Sequence, residues 1–126
     1  MAGEQILVVE DNEKNMKLLR DVLRAAGYRT LEASTGGQAL MLATEHRPAL
    51  VLMDIRLPDM SGVEVLSRLR MDERTASIPV LALTAQAMKG DRERFKEAGF
   101  DGYLSKPIDI DELLTTVEQH CGRRDS

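Results

Sequence analysis

The chain has 126 residues, of which 43% are hydrophobic and 30% charged, and its formal net charge is −4. This length supports one hydrophobic core and is too short for two ordinary ones, so we expect a single domain spanning residues 1–126. Nucleic acid is disfavoured as a partner, because its phosphates require a basic surface and aromatic residues for base stacking make up only 3%.

Membrane insertion and export are also disfavoured. The apolar runs are far shorter than a membrane span, and the N-terminus lacks the basic start and long apolar centre of a signal peptide. Cys121 is the only cysteine, which excludes an internal disulfide and suits a reducing compartment. We therefore expect a cytoplasmic protein with no membrane partner.

Short apolar runs alternate with helical patterns along the chain. The clearest helical stripe contains Met16, Leu19, Leu23 and Ala26 ahead of Gly27, and another helix is predicted near 88–98. Alternating strands and helices predict an α/β fold with parallel strands, right-handed crossovers and helices on both faces of the sheet. The predicted strands are residues 5–10, 29–33, 49–54, 79–84 and 102–105.

Capping patterns mark three helix starts independently of hydrophobicity. A Ser, Thr or Asp followed three residues later by Glu or Gln has the spacing of a capping box. The three pairs are Thr35 with Gln38, Ser61 with Glu64, and Asp109 with Glu112.

Polar residues follow several predicted strands, at the end where an open α/β sheet has its functional crevice. Taken alone, each would be a turn former, a cap or a solvated side chain. Together they place three carboxylates in one cleft, which is unfavourable unless a cation joins them. These residues are Glu10, Asp11, Asp54, Thr84 and Lys106.

The oxygen-rich ligands favour Mg²⁺ (or Mn²⁺) as the cofactor. The strand ends carry no His or Cys to suit zinc, and Mg²⁺ typically completes its shell with water and a phosphate. The loop VVEDNEKN after the first strand has acids where a P-loop or dinucleotide fold needs glycines. We therefore expect a site that handles a phosphoryl group through a metal ion and side chains.

Four segments resemble the receiver domain of bacterial two-component response regulators: VEDN, LMDIRLPDMSG, ALTA and YLSKPI. The resemblance covers nearly the whole chain, and residues 87–108 are similar to single-domain cell-cycle regulators and to receiver modules of hybrid histidine kinases. It implies a flavodoxin-like (CheY-like) doubly wound sheet with strand order 2-1-3-4-5 and five helices. It also implies phosphorylation by a histidine kinase or histidine phosphotransfer protein, and signalling by phosphorylation-dependent protein contact, in cell-cycle or developmental control.

The same resemblance implies specific residue roles. Asp54 becomes the phosphoacceptor, which would react as a carboxylate nucleophile and form an acyl phosphate. The implied metal ligands are Glu10, Asp11, Asp54 and the backbone carbonyl of Arg56. The implied phosphoryl-contacting residues are Thr84, Ala85 and Lys106, the switch residues are Thr84 and Tyr103, and Lys106–Pro107 is a cis peptide bond.

The roles of two neighbouring residues stay open. The long cationic side chain of Arg56 could pair with Glu10 or meet the phosphoryl group directly. Gln86, two residues past Thr84, also flanks the reaction centre. We expect both to influence dephosphorylation, and the sequence does not give the direction.

A binding face for a downstream signalling protein is expected around the fourth helix. Residues 87–98 are mostly charged and leave mainly Met88, Phe95 and Ala98 as anchors, which suggests an element of low stability. Movement of Thr84 toward a phosphoryl group would leave space for Tyr103, although Tyr103 could instead simply fill the sheet edge. The expected face comprises residues 87–98, 102–105 and 109–121.

Two other functions share either the site residues or the fold predicted for this chain. A phosphatase of the haloacid dehalogenase type also uses a strand-end Asp with Thr and Lys, but it normally has a second acid two residues on, where this chain has Arg56. A flavodoxin-like electron carrier is disfavoured by the acidic first turn and the few aromatics. We favour a signalling domain that catalyses only its own phosphorylation and dephosphorylation.

Overall fold

Strands and helices alternate along a computed structural model of the chain, which describes residues 3–85 and 91–122. The strands are β1 (Gln5–Val9), β2 (Arg29–Ala33), β3 (Leu50–Asp54), β4 (Val80–Thr84) and β5 (Gly102–Ser105). The helices are α1 (Glu13–Ala25), α2 (Gly36–His46), α3 (Gly62–Met71), α4 (Asp91–Ala98) and α5 (Ile110–Gly122).

All five strands are parallel and pair in the order β2-β1-β3-β4-β5. This confirms the flavodoxin-like order and the α/β class. Every residue of β3 and β4 is buried, because helices cover the sheet on both faces. Within residues 3–85 and 91–122, no helix has the length and apolar character needed to cross a membrane.

The core has two layers, one on each face of the sheet, and alternate strand residues point into them. Leu7, Val51 and Ala82 belong to the layer that α2, α3 and α4 cover. Ile6 and Leu52 belong to the layer under α1 and α5. The continuous apolar runs in the sequence therefore result from burial on both faces of the sheet.

The predicted stripe of α1 is confirmed for Met16, Leu19 and Leu23, which are buried. It is wrong for Ala26, which is exposed and follows the last helical residue. The chain leaves the helix here because Gly27 has a φ of 99°, in the left-handed region that favours glycine.

The fourth helix is described from Asp91, and Met88, one of its expected anchors, lies outside the described residues. Phe95 is buried and meets Phe100 edge to face, with ring centroids 5.8 Å apart. Ala98 is exposed, so its prediction as an anchor is wrong. Phe100, which follows the helix, provides the second buried contact instead.

Arg70, at the end of α3, is hydrogen-bonded to the two segments that precede β4 and β5. Its Nη1 donates to carbonyl oxygens within 76–78, the shorter bond being 2.7 Å to Ile78. Its Nη2 donates to the Gly99 carbonyl at 3.3 Å and to Asp101 Oδ2 at 3.0 Å. The same Asp101 oxygen accepts from the Val80 N–H at 2.8 Å, so the segments before both strands are held together.

We predict that Gly62→Ala destabilises the protein. A Cβ at Gly62, the first residue of α3, would lie 2.5 Å from the backbone oxygen of Asp54, so the backbone must shift. Urea denaturation should show a loss of about 2 kcal/mol in the free energy of unfolding.

Gly37→Ala is the matched control, because a Cβ there would meet only Asp59 Oδ2 at an ordinary 3.6 Å. Its stability should be unchanged or higher by up to about 1 kcal/mol, since Ala is the better helix former. Equal losses in the two variants would contradict the close approach at Gly62.

Candidate functional site

The carboxyl ends of β1, β3, β4 and β5 surround one cleft of about 360 Å³. The parallel order causes this, because it brings the carboxyl ends of all strands to the same edge of the sheet. The structure therefore brings together the residues that the sequence placed at this edge. They are Glu10, Asp11, Asp54, Thr84, Ala85 and Lys106, and Arg56 lines the cleft with them.

Three carboxylates form the acidic part of the cleft. Glu10 and Asp54 are buried, being 1% and 5% exposed, whereas Asp11 is exposed. One oxygen of each lies within 4.8 Å of the other two. An all-oxygen donor set with one side open to solvent suits Mg²⁺, which keeps several waters when it binds protein carboxylates.

Lys106 carries the positive charge that faces these acids. Its Nζ lies 2.8 Å from Glu10 Oε1 and 3.1 Å from Asp54 Oδ2, and its side chain is only 18% exposed. The Lys106 N–H donates to the Thr84 carbonyl at 2.8 Å, and the Lys106–Pro107 peptide bond is cis. Lys106 thus connects three strand ends.

Burial and mutual contact shift the ionisation of two groups in the cleft. Desolvation and the neighbouring Asp54 carboxylate raise the pKa of Glu10, although Lys106 and the Asn12 N–H partly oppose them. Burial disfavours the Lys106 ammonium, but the hydrogen bonds to Glu10 and Asp54 outweigh this effect and raise the pKa of Lys106. The Glu10 carboxylate is therefore harder to keep charged than an ordinary glutamate, and Lys106 stays protonated at neutral pH.

The loop after Asp54 folds back on itself. The Arg56 N–H donates to Asp54 Oδ1 at 3.0 Å, and the Gly62 N–H donates to the Ile55 carbonyl at 2.8 Å. The Arg56 side chain is exposed and lines the cleft, while Glu10 pairs with Lys106. Both roles considered for Arg56, pairing with Glu10 and meeting the phosphoryl group, therefore stay predictions.

Tyr103 is half-buried and packs against the core layer under α2, α3 and α4. It lies opposite Ala82 in the β4–β5 ladder, and Thr84 lies two residues further along β4. Tyr103 and Thr84 therefore share one face of the sheet on adjacent strands. The switch role of this pair stays a prediction, and Gln86 lies outside the described residues.

Several cleft residues were not singled out from the sequence. Asn12 accepts from the Asn15 N–H at 3.0 Å as the N-cap of α1, and both line the cleft. Asn is a preferred N-cap residue, and Asn12 lies about one turn ahead of Met16, the first residue of the stripe, so Asn12 could have been found. Arg94 also lines the cleft, but its position depends on how α4 packs and has no local sequence pattern.

Comparisons with known proteins agree on one family. Residues 6–118 match the family described as the response regulator receiver domain. The chain is 49% identical over 119 residues to the polar-differentiation response regulator DivK of Brucella anthropi, covering 94% of this chain and 97% of that protein. DivK of Brucella ovis has the same identity and coverage.

Solved structures show the same similarity. The receiver domain of the sensor histidine kinase PA1611 from Pseudomonas aeruginosa PAO1 is 39% identical, with a TM-score of 0.88 and coverage of 96% of this chain and 99% of that one. That crystal structure has a magnesium ion coordinated in its active site cleft. The chemotaxis protein CheY4 of Vibrio cholerae is 28% identical with a TM-score of 0.88, covering 94% of this chain and 99% of that one.

We predict that metal-free protein gains stability relative to its Glu10→Gln variant as the pH falls from about 7 to about 5. Because the pKa of Glu10 is raised above its ordinary value of 4.5, the folded chain binds more protons than the unfolded chain between the two values. Rising pH in that window therefore lowers the contribution of Glu10 to stability.

Urea denaturation of both proteins with a chelator, at several pH values, measures this difference. Acids that do not interact with Glu10 titrate alike in both proteins and cancel in the comparison. A difference that stays constant with pH, or that favours the wild type more at higher pH, would contradict the raised pKa.

Proposed function

The chain belongs to the response regulator receiver domain family, and on that basis we propose that Asp54 is its phosphoacceptor. The observation that carries the proposal is the position of Asp54, a buried carboxylate at a strand end, in contact with Lys106 and beside two further acids. Burying such a charge is costly, and the open cleft gives a phosphoryl donor access to it. A purely structural acid would not need that access.

The proposed reaction is transfer of a phosphoryl group from a phosphohistidine. A carboxylate oxygen of Asp54 attacks phosphorus, the N–P bond breaks, and the electron pair returns to the imidazole, which then takes a proton. The new P–O bond makes an acyl phosphate on Asp54. Lys106 would shift part of its interaction from the carboxylate to the phosphoryl oxygens and so stabilise the developing charge.

The proposed cofactor is Mg²⁺ (or Mn²⁺), held by Glu10, Asp11, Asp54 and the backbone carbonyl of Arg56. When bound, it would supply positive charge for the phosphoryl oxygens. The oxygen donor set and the magnesium ion in the PA1611 receiver support this assignment. Asp11, the exposed acid, would face the solvated side of the ion.

Two further residues would contact the phosphoryl group. Thr84 would donate a hydrogen bond from its hydroxyl, and the small side chain of Ala85 would leave room for the phosphoryl group and for water. Hydrolysis would then return Asp54 to the carboxylate. We propose no other catalysis, so the domain catalyses only its own phosphorylation and dephosphorylation.

The family implies a histidine kinase or a histidine phosphotransfer protein as the partner. We propose that this chain is a single receiver domain throughout residues 1–126 and works in the cytoplasm. The DivK relatives are polar-differentiation regulators, which supports a role in cell-cycle or developmental control.

We predict that Asp54→Asn does not accept a phosphoryl group. Incubation of the wild type with acetyl phosphate or a phosphohistidine donor and Mg²⁺ should add one group, which hydroxylamine removes and a chelator prevents. Mass spectrometry of the intact chain measures the addition.

Asp21→Asn is the matched control, because Asp21 is a half-exposed acid of α1 that pairs with Lys17. It should be labelled like the wild type. Labelling of Asp54→Asn at the wild-type rate would rule out Asp54 as the acceptor, and steady turnover of a phosphorylated metabolite would indicate a phosphatase.

Phosphorylation would be communicated through the face formed by residues 87–98, 102–105 and 109–121. In support, within residues 93–98 of α4 the charged side chains are exposed and Phe95 is buried, while Ile110 at the start of α5 is 46% exposed. Thr84 and Tyr103 lie on the adjacent strands β4 and β5, and we propose that they link this face to the cleft. A downstream signalling protein would bind it more tightly after phosphorylation.

We predict that beryllofluoride, a phosphoryl mimic, changes amide exchange in 91–98 and 102–105 of the wild type. Thr84→Ala should bind the mimic without these changes, because it lacks the hydroxyl that is proposed to couple the phosphoryl group to Tyr103. Since a ligand shifts an equilibrium only by its preference for one state, the expected change is about 1 to 3 kcal/mol in partner affinity. Changes confined to the cleft in the wild type would contradict the output face.

A further inference from the structure

The loop between β3 and α3, residues 55–61, is attached to the start of α2 by one side chain. Asp59 Oδ1 accepts from the Gly36 N–H at 2.8 Å, and Asp59 Oδ2 accepts from the Gly37 N–H at 3.0 Å. N–H groups in the first turn of a helix have no partner within the helix. One carboxylate therefore connects the loop to an element more than 20 residues earlier in the chain.

Close packing accompanies these hydrogen bonds. A Cβ at Gly36 would lie 2.5 Å from Met60 Cγ and 2.8 Å from Val65 Cγ2. Met60, the neighbour of Asp59, can therefore sit against the start of α2 only because residue 36 is glycine. The tip of the loop is held by both a charged group and an apolar contact.

The base of the same loop lies at the acidic cleft. The Arg56 N–H is bound to Asp54 Oδ1, Arg56 pairs with Ser61 in an isolated β-bridge, and the Gly62 N–H is bound to the Ile55 carbonyl. A loop closed at its base and attached at its tip has little freedom to shift. Arg56, which lines the cleft, is thereby held in place together with its backbone carbonyl.

We propose that Asp59 is a positioning residue for the cation site, because its bonds to Gly36 and Gly37 fix the loop that carries the Arg56 carbonyl. The inference rests on the proposed function, in which that carbonyl is a ligand. Asp59 itself lies outside the cleft and acts through the loop. Outer groups that orient metal ligands often affect metal affinity strongly.

The ionisation of Asp59 agrees with this role. Hydrogen bonds from the Gly36 and Gly37 amides hold the pKa of Asp59 below its ordinary value of 3.8. Its carboxylate is therefore charged at neutral pH, and both oxygens are available as acceptors.

Asp59→Asn tests the proposal in the full chain. Asparagine has nearly the same shape but offers one acceptor oxygen, and its amide group cannot accept from the second N–H. The dissociation constant for Mn²⁺, measured by electron paramagnetic resonance, should rise roughly tenfold.

Thr35→Ala is the matched control. Thr35 caps the same helix by accepting from the Gln38 N–H at 3.1 Å, and this bond stays within the start of α2 and does not involve the loop. Both variants should have a lower melting temperature than the wild type, because each loses a cap of α2. Thr35→Ala should leave the Mn²⁺ affinity unchanged. Amide exchange gives an independent readout. The Arg56 and Gly62 N–H groups should exchange faster in Asp59→Asn and at the wild-type rate in Thr35→Ala.

Two results would overturn the proposal in different ways. If Asp59→Asn binds Mn²⁺ as the wild type does, Asp59 only caps α2, and the proposed cation site stands. If the wild type does not bind Mn²⁺, or if Asp11→Asn binds it equally well, the cation site itself is wrong and the role of Asp59 is rejected with it.

Discussion

Two buried carboxylates, Glu10 and Asp54, must be accommodated at one edge of the sheet, and the Lys106 ammonium lies against both. A buried charge without a partner would cost several kcal/mol, roughly enough to cancel much of the stability of a small domain. The strand order brings these two charges to a shared partner. Because β1 is adjacent to β3, the two acids end side by side, and the chain leaving β5 brings the lysine back over them.

Burial raises the pKa of Glu10, and the neighbouring Asp54 carboxylate adds to this because one ammonium serves both acids. The exposed Asp11 adds a third negative group at the mouth of the cleft. The site thus carries an excess of negative charge, and a divalent cation and a phosphoryl group would interact with opposite parts of it. The cation would meet the carboxylates, and the phosphoryl group would meet the lysine.

Much of this arrangement could be predicted because its determinants are local. Continuous apolar runs indicated buried parallel strands, and the polar residues that end them were found together in the cleft. The order of the strands came from family resemblance, since periodicity does not encode which strands pair. Ala26 and Ala98 were placed wrongly because small residues are compatible with either face of a helix end. Asp59 was missed because its partners are backbone amides of a distant element, which have no residue-specific pattern.

The Arg70 connections also bear on α4, because they attach the chain directly after its last residue. The Gly99 carbonyl, directly after the helix, and Asp101 are both bound to the guanidinium, so the carboxyl end of α4 is attached to the base of the sheet. Arg94 and Phe95, in the middle of the helix, line the cleft about one helical turn away from that attachment. A change in the cleft that displaced these two residues would therefore tilt α4 about its attached carboxyl end.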